Sequence, residues 1–221
     1  MTIKALIFDF DGLILDTETP DFESWQLIYR QYGHEFPFDM WASIVGGTAA
    51  SDFDPHAHLE ELISQKLDRN ALSQQRSKGY LNNIEQQSIL PGVIDYLDEA
   101  ERRNLRLAVA SSSPQDWVHG HLKRLGLFER FHVVKTADDV EKTKPDPALF
   151  NAVLHVFELT PDESIVFEDS LNGIVAAQAA SIYCVAVPNP LTTQLDLSRA
   201  DLQLASLADL SLGDLLKKVE A

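Results

Sequence analysis

Short apolar segments alternate with helical patterns along most of the chain and predict a buried sheet. These segments are Lys4–Phe8, Leu105–Ala110, His132–Lys135, Ser164–Phe167 and Tyr183–Val187. Brief, continuous apolar runs of this kind are typical of buried strands. Strands that alternate with helices indicate an α/β fold, with a Rossmann-like, doubly wound and mostly parallel sheet. Ligands of such folds bind at the carboxyl ends of the strands.

Proline or serine marks the predicted starts of the helices outside the interval 17–87. Apolar residues at spacings of three and four follow Pro91-Gly92, Ser113-Pro114, Asp146-Pro147, Ser170 and Ser211. Ser113-Pro114 is typical of an N-cap followed by a first-turn proline, and Gly126 is placed to end that helix.

The interval from about residue 17 to residue 87 contains helical patterns without a convincing strand. We expect a first helix capped by Thr19-Pro20, a second through Leu59, Leu62, Ile63 and Leu67, and a third from about Leu72 to Ile84. This predicts a small helical cap, residues 17–87, inserted into an α/β core of residues 1–16 and 88–221.

Aromatic residues of the first cap helix fall on one helical face. We interpret this stripe as the core of the cap rather than a platform for stacking bases; it consists of Phe22, Trp25, Tyr29 and Tyr32.

Composition describes an ordinary globular protein and excludes several classes of partner. Of the 221 residues, 45% are hydrophobic and 24% charged. With 18 Lys and Arg against 34 Asp and Glu, the formal charge is −16, which disfavours nucleic-acid and anionic-membrane surfaces but permits a small phosphorylated ligand. The first apolar stretch is too short, and too soon interrupted by Asp9 and Asp11, for a signal peptide or membrane span.

The single cysteine, Cys184, lies among apolar neighbours, so we expect a buried strand thiol and a cytoplasmic protein. The C-terminal leucines are assigned to the core rather than to a partner, so we expect a monomer.

Two aspartates one residue apart end the first predicted strand. Asp9 and Asp11 project to the same side of an extended chain. Neighbouring carboxylates raise each other's pKa unless a cation lies between them, and Mg²⁺ prefers oxygen ligands. An acidic turn in water explains such a pair equally well when it is taken alone.

Three further places favour phosphate chemistry over that alternative. After the second strand, the hydroxyls and amides of Ser111-Ser112-Ser113 can bind phosphate oxygens. A lysine precedes a proline at Lys144-Pro145, and a second acidic pair, Glu168-Asp169, follows another strand. Ser111 is also a plausible turn serine, and Ser112 and Ser113 are alternatives to it in each role. Lys142 is likewise an alternative to Lys144 as the cation of the site. His56, His58, His119 and His121 lack further zinc ligands at suitable spacing and are interpreted as helical surface residues.

Together, in this order and with a helical insertion after the first, these motifs resemble the four motifs of the haloacid dehalogenase superfamily. The resemblance covers the whole chain. The helical interval is similar to the cap of the branch that includes β-phosphoglucomutase and phosphoglycolate phosphatase.

The resemblance implies a role for each motif. Asp9 would be the nucleophile that takes the phosphoryl group, and Asp11 the general acid and base. Ser111, with Ser112 beside it, and Lys144 would bind the phosphoryl oxygens. Mg²⁺ would be held by Asp9, the main-chain carbonyl of Asp11 and Asp169, with Glu168 as a ligand or as a partner of the ligands.

Members that cleave carbon–halogen bonds lack the acid two residues after the nucleophile, so Asp11 favours phosphoryl transfer. A phosphomutase needs a second phosphate site in the cap. Where the mutase pattern has a histidine this chain has Asp21, and residues 46–52 lack the expected arginine. Arg76 and Lys78 remain as cap cations, so a mutase is the alternative.

Thr17 and Glu18, at the junction between the core and the cap, are candidate hinge positions.

The sequence therefore predicts a cytoplasmic, Mg²⁺-dependent phosphatase of small phosphorylated metabolites, sugar or polyol phosphates above all, acting through an aspartyl phosphate. A binding module that keeps this fold without catalysis is the alternative from another class.

Overall fold

A six-stranded parallel sheet forms the centre of the protein. The computed structural model describes residues 2–43, 45 and 53–220. The strands are β1 Ala5–Phe8, β2 Arg106–Ala110, β3 Val133–Lys135, β4 Ser164–Glu168, β5 Tyr183–Ala186 and β6 Leu202–Gln203, in the order β3-β2-β1-β4-β5-β6. The predicted α/β fold and its five strands are confirmed. β6 was not predicted, because it has two residues and no apolar run to mark it.

Helices cover both faces of this sheet, and a further group of helices lies outside it. The helices of the described residues are α1 Glu18–Gln31, α2 Phe38–Ala42, α3 Pro55–Ile63, α4 Arg69–Gln86, α5 Val93–Arg102, α6 Gln115–Arg124, α7 Ala148–Phe157, α8 Leu171–Ala179 and α9 Leu212–Val219. Of these, α5, α6 and α9 pack on one face of the sheet, and α7 and α8 on the other. In β1, Leu6 and Phe8 join one core cluster while Ala5 and Ile7 join the other. A strand buried on both sides needs apolar residues at every position, which is why β1 has no polar alternation.

The four helices α1 to α4 lie between β1 and β2 in the chain and have an apolar core of their own. This core contains Trp25, Ile28, Tyr29, Phe36, Trp41, Val45, Leu59 and Leu72. The predicted cap core is thus correct for Trp25 and Tyr29. It is wrong for Tyr32, which follows the end of α1 and is 36% exposed. The short helix α2 was not predicted, and the domain limits given above remain a prediction.

The first of these helices begins earlier than expected. Thr17, not Thr19, is the residue before α1, and the Asp16 carboxylate accepts a hydrogen bond of 3.0 Å from the Thr19 amide. Pro20 lies inside the first turn, where its missing N–H costs no helical hydrogen bond.

The chain leaves the core and returns to it at one place. Leu15 pairs with Ile89 in an antiparallel bridge, and the Leu90 amide donates to the carbonyl of Ile14 at 3.0 Å. The two connections to the helical insertion therefore lie side by side.

No helix in the described part of the chain has the length and apolar character needed to span a membrane. Cys184 is buried in β5, as predicted, and burial raises the pKa of its thiol.

Candidate active site

The carboxyl ends of three adjacent strands bring the predicted motifs together. In the register of the sheet, Phe8 lies opposite both Val109 and Phe167. The residues after these positions therefore emerge at the same edge: Asp9 and Asp11 after β1, the serine loop after β2, and Glu168-Asp169 at the end of β4.

Lys144 forms ion pairs with two buried carboxylates. Its Nζ lies 2.5 Å from Asp9 Oδ1 and 2.6 Å from Glu168 Oε1, and its side chain is 1% exposed. Burial disfavours the charged amine, but the two carboxylates outweigh this and raise the pKa of Lys144. Lys142, the competing residue, is exposed. The structure thus brings Lys144, and not Lys142, to the acidic residues.

Asp9, Glu168 and Asp169 form a buried acidic cluster that suits a divalent cation. Each offers a carboxylate oxygen, and these oxygens lie within 4.8 Å of one another. Burial and the neighbouring carboxylates raise the pKa of Asp9 to about 8, against the effect of Lys144. Burial likewise raises the pKa of Asp169. Lys144 alone therefore does not offset the cost of three buried negative charges, and an all-oxygen donor set fits Mg²⁺.

Asp169 depends on two neighbouring residues, Asn189, which no sequence motif marks, and Gly12, which follows Asp11 directly. Asn189 Nδ2 donates to Asp169 Oδ2 at 2.7 Å. Gly12 has a φ of +78°, and a Cβ added there would lie 2.1 Å from the same oxygen. Only glycine leaves space for the carboxylate. Asn189 follows β5, so the rule that ligands bind at strand ends offered a signal for it.

Asp11 lies apart from the acidic cluster and is bound by side chains of the β2–α6 region. Its Oδ2 accepts hydrogen bonds from Ser113 Oγ at 2.7 Å and Ser111 Oγ at 3.2 Å. Its Oδ1 accepts one of 2.8 Å from Trp117 Nε1. No sequence motif marks Trp117 as a residue of this site. The metal-binding role expected for Asp11, through its main-chain carbonyl, stays a prediction.

The serine loop contributes to the same site. Ser111 is fully buried, and its Oγ also accepts a hydrogen bond of 3.0 Å from the Ser113 amide. The expected N-cap at Ser113 is wrong: α6 begins at Gln115, with Pro114 before it, because the Ser113 hydroxyl donates to Asp11 instead.

A cavity of about 360 Å³ opens over these residues and is bounded on the other side by the helical insertion. From the core it is lined by Asp9, Asp11, Ser111, Ser112, Ser113, Pro114 and Trp117, and from the insertion by Thr17, Glu18, Asp21, Trp41, Val45 and Tyr80. The Thr17 hydroxyl is buried without a partner among the described residues. Burial and the nearby carboxylates, Asp21 first, raise the pKa of Glu18.

The remaining cap residues differ in their relation to this cavity. Arg76 Nη1 lies 2.6 Å from Asp21 Oδ1, and its guanidinium lies 4.6 Å from the centre of the Trp25 ring. Lys78 is exposed and is not among the residues that line the cavity. The segment 46–52, which lacks the arginine that the mutase pattern has nearby, lies outside the described residues.

This fold and this set of strand-end carboxylates, serine and lysine define a class of hydrolase. The sequence model of the haloacid dehalogenase-like hydrolase family matches residues 6–187, and the chain belongs to that family. The resemblance drawn from the motifs is confirmed.

Relatives and a solved structure agree with this assignment. The chain is 44% identical over 214 residues to a Bacillus subtilis (strain 168) protein named "Putative phosphatase YhcW", covering 97% of this chain and 96% of that protein. It is 29% identical to the "Phosphorylated carbohydrates phosphatase" of Thermotoga maritima, covering 81% and 82% of the two chains. The fold is similar to that of β-phosphoglucomutase from Clostridium difficile, with a TM-score of 0.77 at 23% identity over 99% and 98% of the two chains. The chain is a phosphoric monoester hydrolase of this family.

Proposed function

We propose that the protein is a Mg²⁺-dependent phosphatase of small sugar or polyol monophosphates. One observation carries the proposal: the buried Asp9 carboxylate, paired with Lys144, lies at the floor of a cavity that Asp11 also lines. The nucleophile and a second carboxylate thus face one cavity, and a buried cation contacts the nucleophile from behind that surface.

Asp9 is the nucleophile. Its free carboxylate oxygen attacks phosphorus, the bond from phosphorus to the substrate oxygen breaks, and the phosphoryl group is carried on Asp9 as an acyl phosphate. Lys144, whose Nζ already contacts Asp9 Oδ1, neutralises charge on the transferring phosphoryl oxygens. Ser111 and Ser112, which line the cavity, supply hydroxyl and amide donors to those oxygens.

Asp11 moves the proton. In its acid form it protonates the departing alkoxide, and as a carboxylate it then takes a proton from the water that cleaves the acyl phosphate. Two half-reactions use the one side chain in opposite directions, so the free enzyme is regenerated with inorganic phosphate and an alcohol as products.

Asp9, Asp169 and the main-chain carbonyl of Asp11 would hold Mg²⁺, with Glu168 as a ligand or as a partner of the ligands. Bound Mg²⁺ would withdraw charge from the phosphoryl oxygens, which lets an anionic nucleophile approach an anionic ester. The acidic cluster and its raised carboxyl pKa values support this assignment.

The wall formed by the insertion supports a hydroxylated substrate. Glu18 and Asp21 offer carboxylate oxygens that accept hydrogen bonds from hydroxyl groups. Trp41 and Tyr80 contribute aromatic side chains to this wall, against which a carbon skeleton can pack. The name of the Thermotoga maritima relative supports phosphorylated carbohydrates as the substrate class.

The pairing of Arg76 favours a phosphatase over the mutase alternative. A mutase must hold a second phosphate in the cap, and the guanidinium of Arg76 already pairs with Asp21. The second cap cation considered, Lys78, is not part of the cavity lining.

Phosphate release from a panel of sugar, polyol, glycolate and nucleotide monophosphates tests the proposal, with and without Mg²⁺. Asp9→Asn, which keeps the shape of the side chain but removes the nucleophile, is the blank. We expect metal-dependent release that the variant abolishes, strongest with sugar or polyol phosphates. Isomerisation of a hexose 1-phosphate without phosphate release would instead support the mutase, and release that persists in Asp9→Asn would refute the assigned nucleophile.

A further inference from the structure

Trp117 connects the acid–base residue to the helical insertion. It lies in α6, on the core, and its indole N–H donates to Asp11 Oδ1 at 2.8 Å. Ser113 donates to the other oxygen, Oδ2, at 2.7 Å. Both oxygens of Asp11 are therefore bound, which fixes the plane of its carboxyl group.

Two neighbouring rings fix the indole in turn. Tyr80 of α4 stacks against it, with ring centres 5.7 Å apart and planes at 12°. His121, one turn further along α6, meets it edge-on at 4.2 Å between centres. Because α4 belongs to the insertion and α6 to the core, the orientation of the indole depends on contact between the two.

The two donors to Asp11 differ in what they can do. An indole N–H only donates, whereas a serine hydroxyl donates or accepts after rotation. The indole N–H can therefore serve Oδ1 in one direction only, whereas the serine hydroxyls at Oδ2 can rotate as the bonding of that oxygen changes. Trp117 is thus the donor of fixed direction, and it sets the orientation of the Asp11 carboxyl group.

We infer that Trp117 is a positioning residue, which holds Asp11 in the orientation that protonates the leaving oxygen. The inference rests on the proposed function, since it assigns a task to the acid–base residue of that reaction. Trp117 acts through Asp11, so its loss should resemble a weakened acid rather than a damaged binding cavity.

General acid catalysis matters most when the leaving group is a poor one. Phenyl phosphate and 4-nitrophenyl phosphate have similar shapes, but nitrophenolate departs without protonation far more readily than phenolate. The parameter kcat/KM covers the steps up to departure of the alcohol, so attack by water on the acyl phosphate does not enter it. The ratio of kcat/KM for the two esters therefore reports on the acid alone.

The test compares this ratio in the wild type, Trp117→Phe, Asp11→Asn and the double variant. We expect Trp117→Phe to lower kcat/KM about tenfold for phenyl phosphate and less than about threefold for 4-nitrophenyl phosphate. Asp11→Asn should show the same pattern more strongly, and Trp117→Phe added to Asp11→Asn should cause no further selective loss. Trp41→Phe, the same change elsewhere in the cavity lining, should affect both esters alike.

An equal loss for both esters in Trp117→Phe, or a selective loss that persists in the Asp11→Asn background, would overturn the inference. Placing 3-benzothienylalanine at position 117 removes the N–H while keeping the ring shape, and it repeats the test should the phenylalanine variant fold poorly. Failure of the proposed function gives a different result, because the wild type would then release no phosphate that depends on Asp9 from either ester.

Discussion

Replacing Lys144 by methionine should destabilise the metal-free protein strongly. Methionine keeps the length of the apolar side chain, so the change removes chiefly the charge that separates Asp9 from Glu168. The Lys144 and Glu168 side chains are 1% and 0% exposed, so water cannot replace the lost amine. Removing one partner of a buried ion pair costs about 3–5 kcal/mol, and we expect a loss of about 3 kcal/mol or more.

Urea-induced unfolding at about pH 9 with a chelator, above the pKa of about 8 of Asp9, measures this loss as a change in the free energy of unfolding. Lys4→Met is the matched control. Lys4 also pairs with a glutamate, Glu163, but the two side chains are 53% and 21% exposed. Solvent and salt screen that pair, so its loss should change the unfolding midpoint far less.

A double variant separates lost charge balance from lost packing. If the cost of Lys144→Met is that of an unpaired Asp9 carboxylate, adding Asp9→Asn should restore part of the stability, by about 1 kcal/mol or more. Equal effects of Lys144→Met and Lys4→Met, or additive effects of Lys144→Met and Asp9→Asn, would refute the reasoning.

Three further changes test other contacts. Asn189→Leu removes the donor that orients Asp169 and should raise the Mg²⁺ concentration for half-maximal phosphate release about tenfold or more; an unchanged value would refute that role. Tyr80→Ala removes the stack on Trp117 and should lower kcat/KM about threefold more for phenyl than for 4-nitrophenyl phosphate, while Tyr80→Phe should keep the wild-type ratio. Hydrogen bonds from Arg69 and Lys66 hold the pKa of Glu60 below its usual 4.5, so the Glu60 carboxylate stabilises the fold above that pH. The difference in unfolding free energy between wild type and Glu60→Gln, measured with urea at several pH values, should therefore shrink as the pH falls below 4.5. A difference that does not change with pH would refute this origin.

Much of the fold and the centre of the candidate site could be predicted from sequence because both depend on strand ends. Apolar runs locate the strands, and parallel strands place their carboxyl ends together, so Asp9 and Asp169 were expected at one edge. Lys144 lies beside Asp9 and Lys142 does not, and the contact of Lys144 with Glu168 as well depends on the folded loop.

Contacts between distant side chains were not predictable in the same way. Trp117 looks like an apolar residue of an amphipathic helix, and its hydrogen bond to Asp11 requires the exact rotation of α6 against the sheet. The salt bridge between Asp21 and Arg76 joins two cap helices whose relative orientation no local pattern encodes. Ser113 fits the pattern of an N-cap, and a tertiary contact overrides that local preference.

The bridge between Leu15 and Ile89 makes the helical insertion a closed loop on the core. The entropy lost in closing a loop grows slowly with its length, by about 0.6 kcal/mol for each doubling. An inserted segment of almost any size is therefore compatible with β1 pairing to β2, provided that its two ends meet at this bridge. On the proposed function, exchange of the whole segment would replace the cavity wall that faces the substrate, while Asp9, Lys144 and Asp169 would remain in place at the strand ends.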